Sequence, residues 1–155
     1  MCVDYRALNK VLVRENYPLP LIDDQLDVLR GKRFYTVLDL KDGFYHIAMA
    51  PGSVKYTSFV TPLDRFEFLR LPFGLKIGPQ VFQRFVNSVM SKLIKDGYVS
   101  VYMDDILVAT ETLESHIDVI KEVFAILVSN RLELKLEKCA FLYTEVEYLA
   151  YKVFK

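Results

Sequence analysis

The 155-residue sequence predicts an α+β fold of the ferredoxin-like kind, an antiparallel sheet covered by two helices on one face. Three observations carry this. Strand-like apolar segments run over 34–40, 98–103 and 106–109, and two helical stripes run over 79–97 and 113–130. With a hairpin at 57–70 set aside as an insertion, the order is strand, helix, strand, strand, helix, strand.

Pro18 and Pro20 hold the chain extended, after which Leu21, Ile22, Leu26 and Leu29 form a short helical stripe that Gly31 ends. Asp23 and Asp24 fall in the first turn of that helix, where the positive dipole end favours acids, so this pair reads as structural. The strand over 34–40 puts Tyr35, Val37 and Asp39 on one face and Phe34, Thr36, Leu38 and Leu40 on the other. Residues 57–61 and 66–70 predict a hairpin that turns through Pro62 to Arg65. Pro79 suits the first position of the long helix and Gly97 its end, with Val81, Phe82, Phe85, Val86, Val89, Met90, Leu93 and Ile94 as its stripe. The strands that follow form a second hairpin with Asp104-Asp105 at its tip. The last helix is expected from about Leu113 to Asn130, with Thr112 as N-cap and Ile117, Ile120, Phe124 and Leu127 facing the core. Residues 132–136 and 146–154 are expected as closing strands.

Composition narrows the class. A chain that is 52% hydrophobic can bury a core, and no repeat or linker divides it. No run of eighteen apolar residues and no leader pattern occurs, so a soluble, intracellular domain without membrane contact is expected. Cys2 and Cys139 lie far apart, without metal-type spacing, and read as ordinary thiols. Twenty basic residues balance twenty acidic ones, which by itself does not suggest a nucleic-acid binder. Residues 111–155 hold more acids than bases and the preceding residues the reverse, so any electrostatic footprint is local.

In the ferredoxin-like arrangement the first strand lies beside the central hairpin, which brings Asp39 next to the Asp104-Asp105 tip. Mg²⁺ takes hard oxygen ligands, and its sites often combine one or two protein carboxylates with substrate phosphates. Two such ions can stabilise both the attacking and the leaving oxygen of an in-line displacement at phosphorus. Without a cation, three clustered acids repel one another and raise at least one pKa. The alternative is a solvated Asp-Asp turn; the pattern alone leaves both readings open.

Four segments are more specific. Cys2 to Lys10 reads CVDYRALNK, Val37 to Ile47 VLDLKDGFYHI, Leu71 to Leu75 LPFGL, and Tyr102 to Asp105 YMDD. In this order and spacing they resemble reverse transcriptases, most closely those of gypsy-type long-terminal-repeat retrotransposons. The resemblance implies RNA-directed DNA synthesis with two Mg²⁺ ions, or Mn²⁺, held by Asp39, Asp104 and Asp105. It implies that Phe44 blocks a nucleotide's 2′-hydroxyl, the alternative being core packing. LPFGL resembles the segment under the incoming base and template, which makes Phe73 and Gly74 candidate nucleotide contacts; Phe73 stands where retroviral relatives carry Gln. Lys138, in LKLEKC, matches a region whose lysine is proposed to protonate the departing pyrophosphate, the alternative being a solvated lysine. His46 and His116 lack ligand spacing and read as structural or exposed.

The resemblance further implies a partial fingers subdomain over 1–33 and 51–75 and a palm over 34–50 and 76–155, with upstream fingers, thumb, connection and RNase H outside the segment. Implied partners are deoxynucleotides, a primer on an RNA or DNA template, and the protease, RNase H and integrase of a polyprotein; the implied location is a cytoplasmic particle. Ala150, in YLAYKV, replaces a glycine usual in the region that positions the primer, and Lys76-Ile77-Gly78 also departs from the family pattern. A remnant that folds without polymerising is therefore the alternative function. An RNA-binding ferredoxin-like module is disfavoured, because acids stand where such a surface would attract phosphate.

Overall fold

The computed structural model describes residues 3–149 and 151–154, so Cys2 and Ala150 lie outside the described residues. Two short helices come first, α1 (Arg6–Val11) and α2 (Ile22–Asp27). Strand β1 (Phe34–Asp39) leads into 3₁₀ turns at Gly43–His46 and Pro51–Thr57, and then to the hairpin of β2 (Phe59–Val60) and β3 (Arg65–Phe66). Helices α3 (Gly78–Val89) and α4 (Ser91–Lys95) precede strands β4 (Val99–Tyr102) and β5 (Asp105–Thr110). The chain continues through α5 (Leu113–Ser129), a 3₁₀ turn at Leu136–Lys138, and strands β6 (Ala140–Tyr143), β7 (Glu145–Tyr148) and β8 (Tyr151–Phe154).

The main sheet runs β4-β5-β1-β6 with every pair antiparallel, the ferredoxin-like order. Leu38 of β1 and Leu40 just beyond its end meet Phe82, Val86 and Met90 from the α3–α4 pair and Val119, Val123 and Leu127 from α5 in one core. Both helices thus cover the same face, as expected. Phe82 is wholly buried, and burial of a side chain of that size stabilises by about 2–3 kcal/mol relative to leaving it in water. On the opposite face Tyr35, Leu107 and Ala109 pack against Leu29, Val146 and Tyr148. Covering on both faces explains why β5 reads as a continuous apolar run.

Five details depart from the periodicity. The long helix breaks at Met90, which leaves helical dihedrals (φ −95°, ψ 7°) while fully buried; its far end still stops at Gly97 with φ 73°. Helix α5 keeps its Thr112 cap, which accepts from the Ser115 N–H at 3.2 Å, but its buried face carries His116, Val119, Val123 and Leu127. Ile117 and Phe124 sit at the margin, 43% and 37% exposed, because His116 is drawn inward to hydroxyls on β1 and β5. Residues 132–136 do not form a strand. Leu134 makes one bridge to Leu40, and the partner of β1 is β6. The segment 146–154 is a separate hairpin, β7 with β8, whose turn contains Leu149 at φ 51°. In the insertion, β2 and β3 pair for only two residues, and the chain after β3 runs instead beside 47–49, with Met49 donating to Leu69 O and Leu71 to Ile47 O.

Candidate active site

The antiparallel register of β1 and β5 sets Asp39 directly opposite Asp105. Asp104 occupies the β4–β5 turn behind Met103, whose φ is 55°, and its carbonyl accepts from the Leu40 N–H at 2.8 Å. The two ends of separate strands are therefore tied at the acids by backbone bonds. Asp39 Oδ1 and Asp104 Oδ1 are both buried without a hydrogen-bond partner. Such orphaned carboxylate oxygens are costly unless a cation meets them.

Burial, then the charges of Asp39 and Asp105, hold the Asp104 carboxyl above its ordinary value, against a smaller opposing effect of Lys135 and Lys138. Burial and Asp39 likewise raise Asp105, with Lys138 opposing. The lysines arrive because the chain after α5 crosses the end of β1, where the Lys135 N–H donates to Asp39 O at 2.9 Å. Lys138 Nζ then lies 3.5 Å from Asp39 Oδ2, and Lys135 Nζ lies 3.9 Å from Oδ1. Among the described residues no three His, Cys, Asp or Glu side chains are already drawn together as a metal-binding group. The donors nevertheless fit Mg²⁺: hard oxygens, two of them orphaned, at a site that substrate phosphates would complete.

Gly43 is part of this construction, and strand periodicity gave no sign of it. A Cβ there would collide with Asp104 Oδ1 and come within 2.5 Å of Phe82 Cζ. Only a residue without a side chain lets the turn after β1 close over Asp104.

Phe44 follows Gly43 directly. It is half-buried, with ring centroids 4.9 Å from Phe73 and 5.6 Å from Phe82, so it joins the core to the surface. Phe73 is 48% exposed and also meets Tyr45 edge-on at 5.3 Å. Gly74 adopts φ 94°, and its loop is fixed by Asn9, which donates to Gly74 O and accepts from the Lys76 N–H, both at 2.8 Å. Asn9 was invisible to periodicity; its presence in the CVDYRALNK segment was the only hint. An apolar cavity of about 230 Å³ among Leu12, Met49, Leu71, Leu75 and Val81 includes none of the acids. His46 bonds Lys41 O, and His116 is buried between Thr36 and Thr110, so the site uses neither.

Comparison with known proteins matches residues 1–153 to the family described as Reverse transcriptase (RNA-dependent DNA polymerase). The chain is 41% identical over 154 residues to the Retrovirus-related Pol polyprotein from transposon opus of Drosophila melanogaster, covering 99% of this chain and 15% of that protein. It is 37% identical over 151 residues to the corresponding polyprotein from transposon 297, covering 97% of this chain and 14% of the relative. Among solved structures, the foamy viral protease-reverse transcriptase in complex with RNA/DNA hybrid superposes with a TM-score of 0.89 at 29% identity, over 97% of this chain and 20% of that one. The chain thus spans about a seventh of these polyproteins, and over nearly its whole length it belongs to the reverse transcriptase family.

Proposed function

We propose that this chain carries the polymerising site of an RNA-directed DNA polymerase within a retrotransposon polyprotein. The observation that carries the proposal is the pairing of Asp39 with Asp105 beside Asp104, with two buried carboxylate oxygens that have no hydrogen-bond partner among the described residues. Asp39, Asp104 and Asp105 would hold two Mg²⁺ ions, or Mn²⁺. Bound there, the ions supply charge stabilisation to the attacking 3′-oxygen and the departing pyrophosphate.

The remaining roles belong to the chain itself. Phe44, braced by Phe73 and Phe82, limits the room beside a sugar 2′-carbon and so favours deoxynucleotides. Phe73 offers an exposed ring for stacking, and the loop at Gly74, held by Asn9, offers backbone groups to the nucleotide. Lys138 would give a proton to the leaving pyrophosphate; its Nζ next to Asp39 Oδ2 supports this role. The foamy viral relative that superposes on the chain is in complex with an RNA/DNA hybrid, which supports a template–primer as partner here. Other partners would be the protease, RNase H and integrase of the polyprotein, inside cytoplasmic particles. The division into fingers over 1–33 and 51–75 and a palm over 34–50 and 76–155 has partial support: Tyr5, Leu71 and Leu75 form their own buried cluster, but Leu29 packs in a sheet core with Tyr35 and Leu107.

Primer extension on an RNA template with Mg²⁺ or Mn²⁺ tests the reading, run on this chain and on a longer polyprotein segment, each with and without Asp104→Asn. Synthesis that vanishes in the variant supports it. If the longer segment is inert at every metal concentration, the non-polymerising remnant is the correct reading.

A further inference from the structure

Gln83 lies on the core side of α3 between Phe82 and Val86, and it is completely buried. An apolar side chain would pack helix against sheet at less cost, since a buried amide must find partners for both its oxygen and its nitrogen. Gln83 finds them. Its Oε1 accepts from the Met103 N–H at 2.7 Å, and its Nε2 donates to Val101 O and to Asn87 Oδ1, both at 3.0 Å. The orientation of the amide is determined by these partners, because Met103 N–H requires an acceptor and Val101 O a donor.

Strand β4 is an edge of the sheet, and among the described residues no further strand pairs its outer side. The Gln83 amide takes the place of a neighbouring strand's peptide at its last residues. The bond to Met103 falls at a strained point, since Met103 holds φ 55°, which a residue with a Cβ rarely adopts unless its surroundings impose it. That N–H belongs to the Tyr102–Met103 peptide, one peptide plane before Asp104, so holding it fixes the backbone from which the Asp104 carboxylate projects. The chain of bonds extends outward: Asn87 Nδ2 donates to Tyr17 OH at 2.8 Å, and Tyr17 belongs to the extended segment before α2.

We propose that Gln83 is a positioning residue that holds the Met103 peptide and thereby aims Asp104, and that Tyr17, through Asn87, sets the Gln83 amide. The segment around Tyr17 is thus wired to the turn that carries the acids. This rests on the metal-site reading above, yet it is testable without catalysis.

Two folded variants decide it, read by Mn²⁺ titration of the chain and by hydrogen exchange at the Met103 amide. Gln83→Met keeps length and removes every bond; Tyr17→Phe removes one hydroxyl at a half-buried position and preserves the core. The relay requires Met103 exchange to accelerate roughly tenfold and Mn²⁺ affinity to fall roughly fivefold in Gln83→Met, with about two- to threefold changes in Tyr17→Phe. In primer extension, kcat should fall while KM for the nucleotide stays within about threefold. Either variant folded with wild-type exchange and wild-type Mn²⁺ affinity overturns the relay. Should Gln83→Met not fold, Tyr17→Phe decides alone. A longer polyprotein segment that binds Mn²⁺ but does not polymerise would defeat the polymerase reading and leave this one standing.

Discussion

Replacing Gly43 by alanine separates the needs of the backbone from those of the acids. Gly43 lies in a 3₁₀ turn and is not among the residues at positive φ, so alanine is acceptable to the main chain there. Restricting the unfolded chain would by itself stabilise by about 0.4–1 kcal/mol. The added Cβ, however, meets Asp104 Oδ1 and the Phe82 ring, and Phe82 is wholly buried. Overpacking of that kind costs about 1–3 kcal/mol, so the net destabilisation is roughly 0.5–2 kcal/mol. For a chain of this length Tm should fall by about 2–6 °C. Activity should suffer far more, because the softest way to relieve the clash is to displace Asp104, and a shift on the order of 1 Å in a catalytic group can cost about a hundredfold. The control is Gly52→Ala, since nothing lies within 4 Å of a Cβ at Gly52; it should match wild type. The assays are thermal unfolding and Mg²⁺-dependent primer extension on the longest active polyprotein segment. If Gly43→Ala polymerises like Gly52→Ala, the contact between Gly43 and Asp104 has no bearing on the site.

Because Asp104 and Asp105 titrate above their ordinary 3.8 when folded, the folded state binds more protons, and metal-free stability should decline as pH rises from 3.8 through the raised values. Excess Mg²⁺ should reverse that decline, and Asp104→Asn should raise the metal-free Tm while abolishing synthesis; a metal-free Tm that is flat with pH in wild type refutes the repulsion. Burial lowers His116 below 6.5, so its contribution has the opposite sign: stability should fall as pH drops below 6.5, and His116→Gln should lose that dependence in denaturant titrations. Phe44→Ala should admit ribonucleotides at least about tenfold more readily in single-nucleotide incorporation, and unchanged discrimination would leave Phe44 a packing residue. Asn9→Ala frees both bonds that hold the Gly74 loop; with about 1–2 kcal/mol lost, KM for the nucleotide should rise more than kcat falls.

Some expectations failed for a shared reason. Helix α5 has apolar residues around more than half of its circumference, so periodicity identified the helix but not its rotation. Two hydroxyls distant in sequence, Thr36 and Thr110, settled the rotation by drawing His116 inward. Residues 132–136 alternate like a strand, yet the chain there must cross the end of β1, where only Leu134 makes a bridge. The break at Met90 left no trace in the stripe because Met90 and Leu93 face the same core on either side of it. By contrast, the Thr112 cap, the stop at Gly97 and the β4–β5 hairpin are local features, and each was legible, although the turn is Met103-Asp104 and Asp105 already pairs with Tyr102 within β5.

The sequence by itself determined the order of the elements, the position of three acids at strand ends and, through four motifs, the family. These are properties of neighbours along the chain, where periodicity, turn chemistry and spacing act directly. Tertiary structure alone decided that Asp39 faces Asp105, that Gly43 closes on Asp104, that Asn9 holds the Gly74 loop and that Gln83 holds Met103. Each of these joins residues from separate elements, and such contacts depend on register and helix rotation, which are fixed only when the whole core packs.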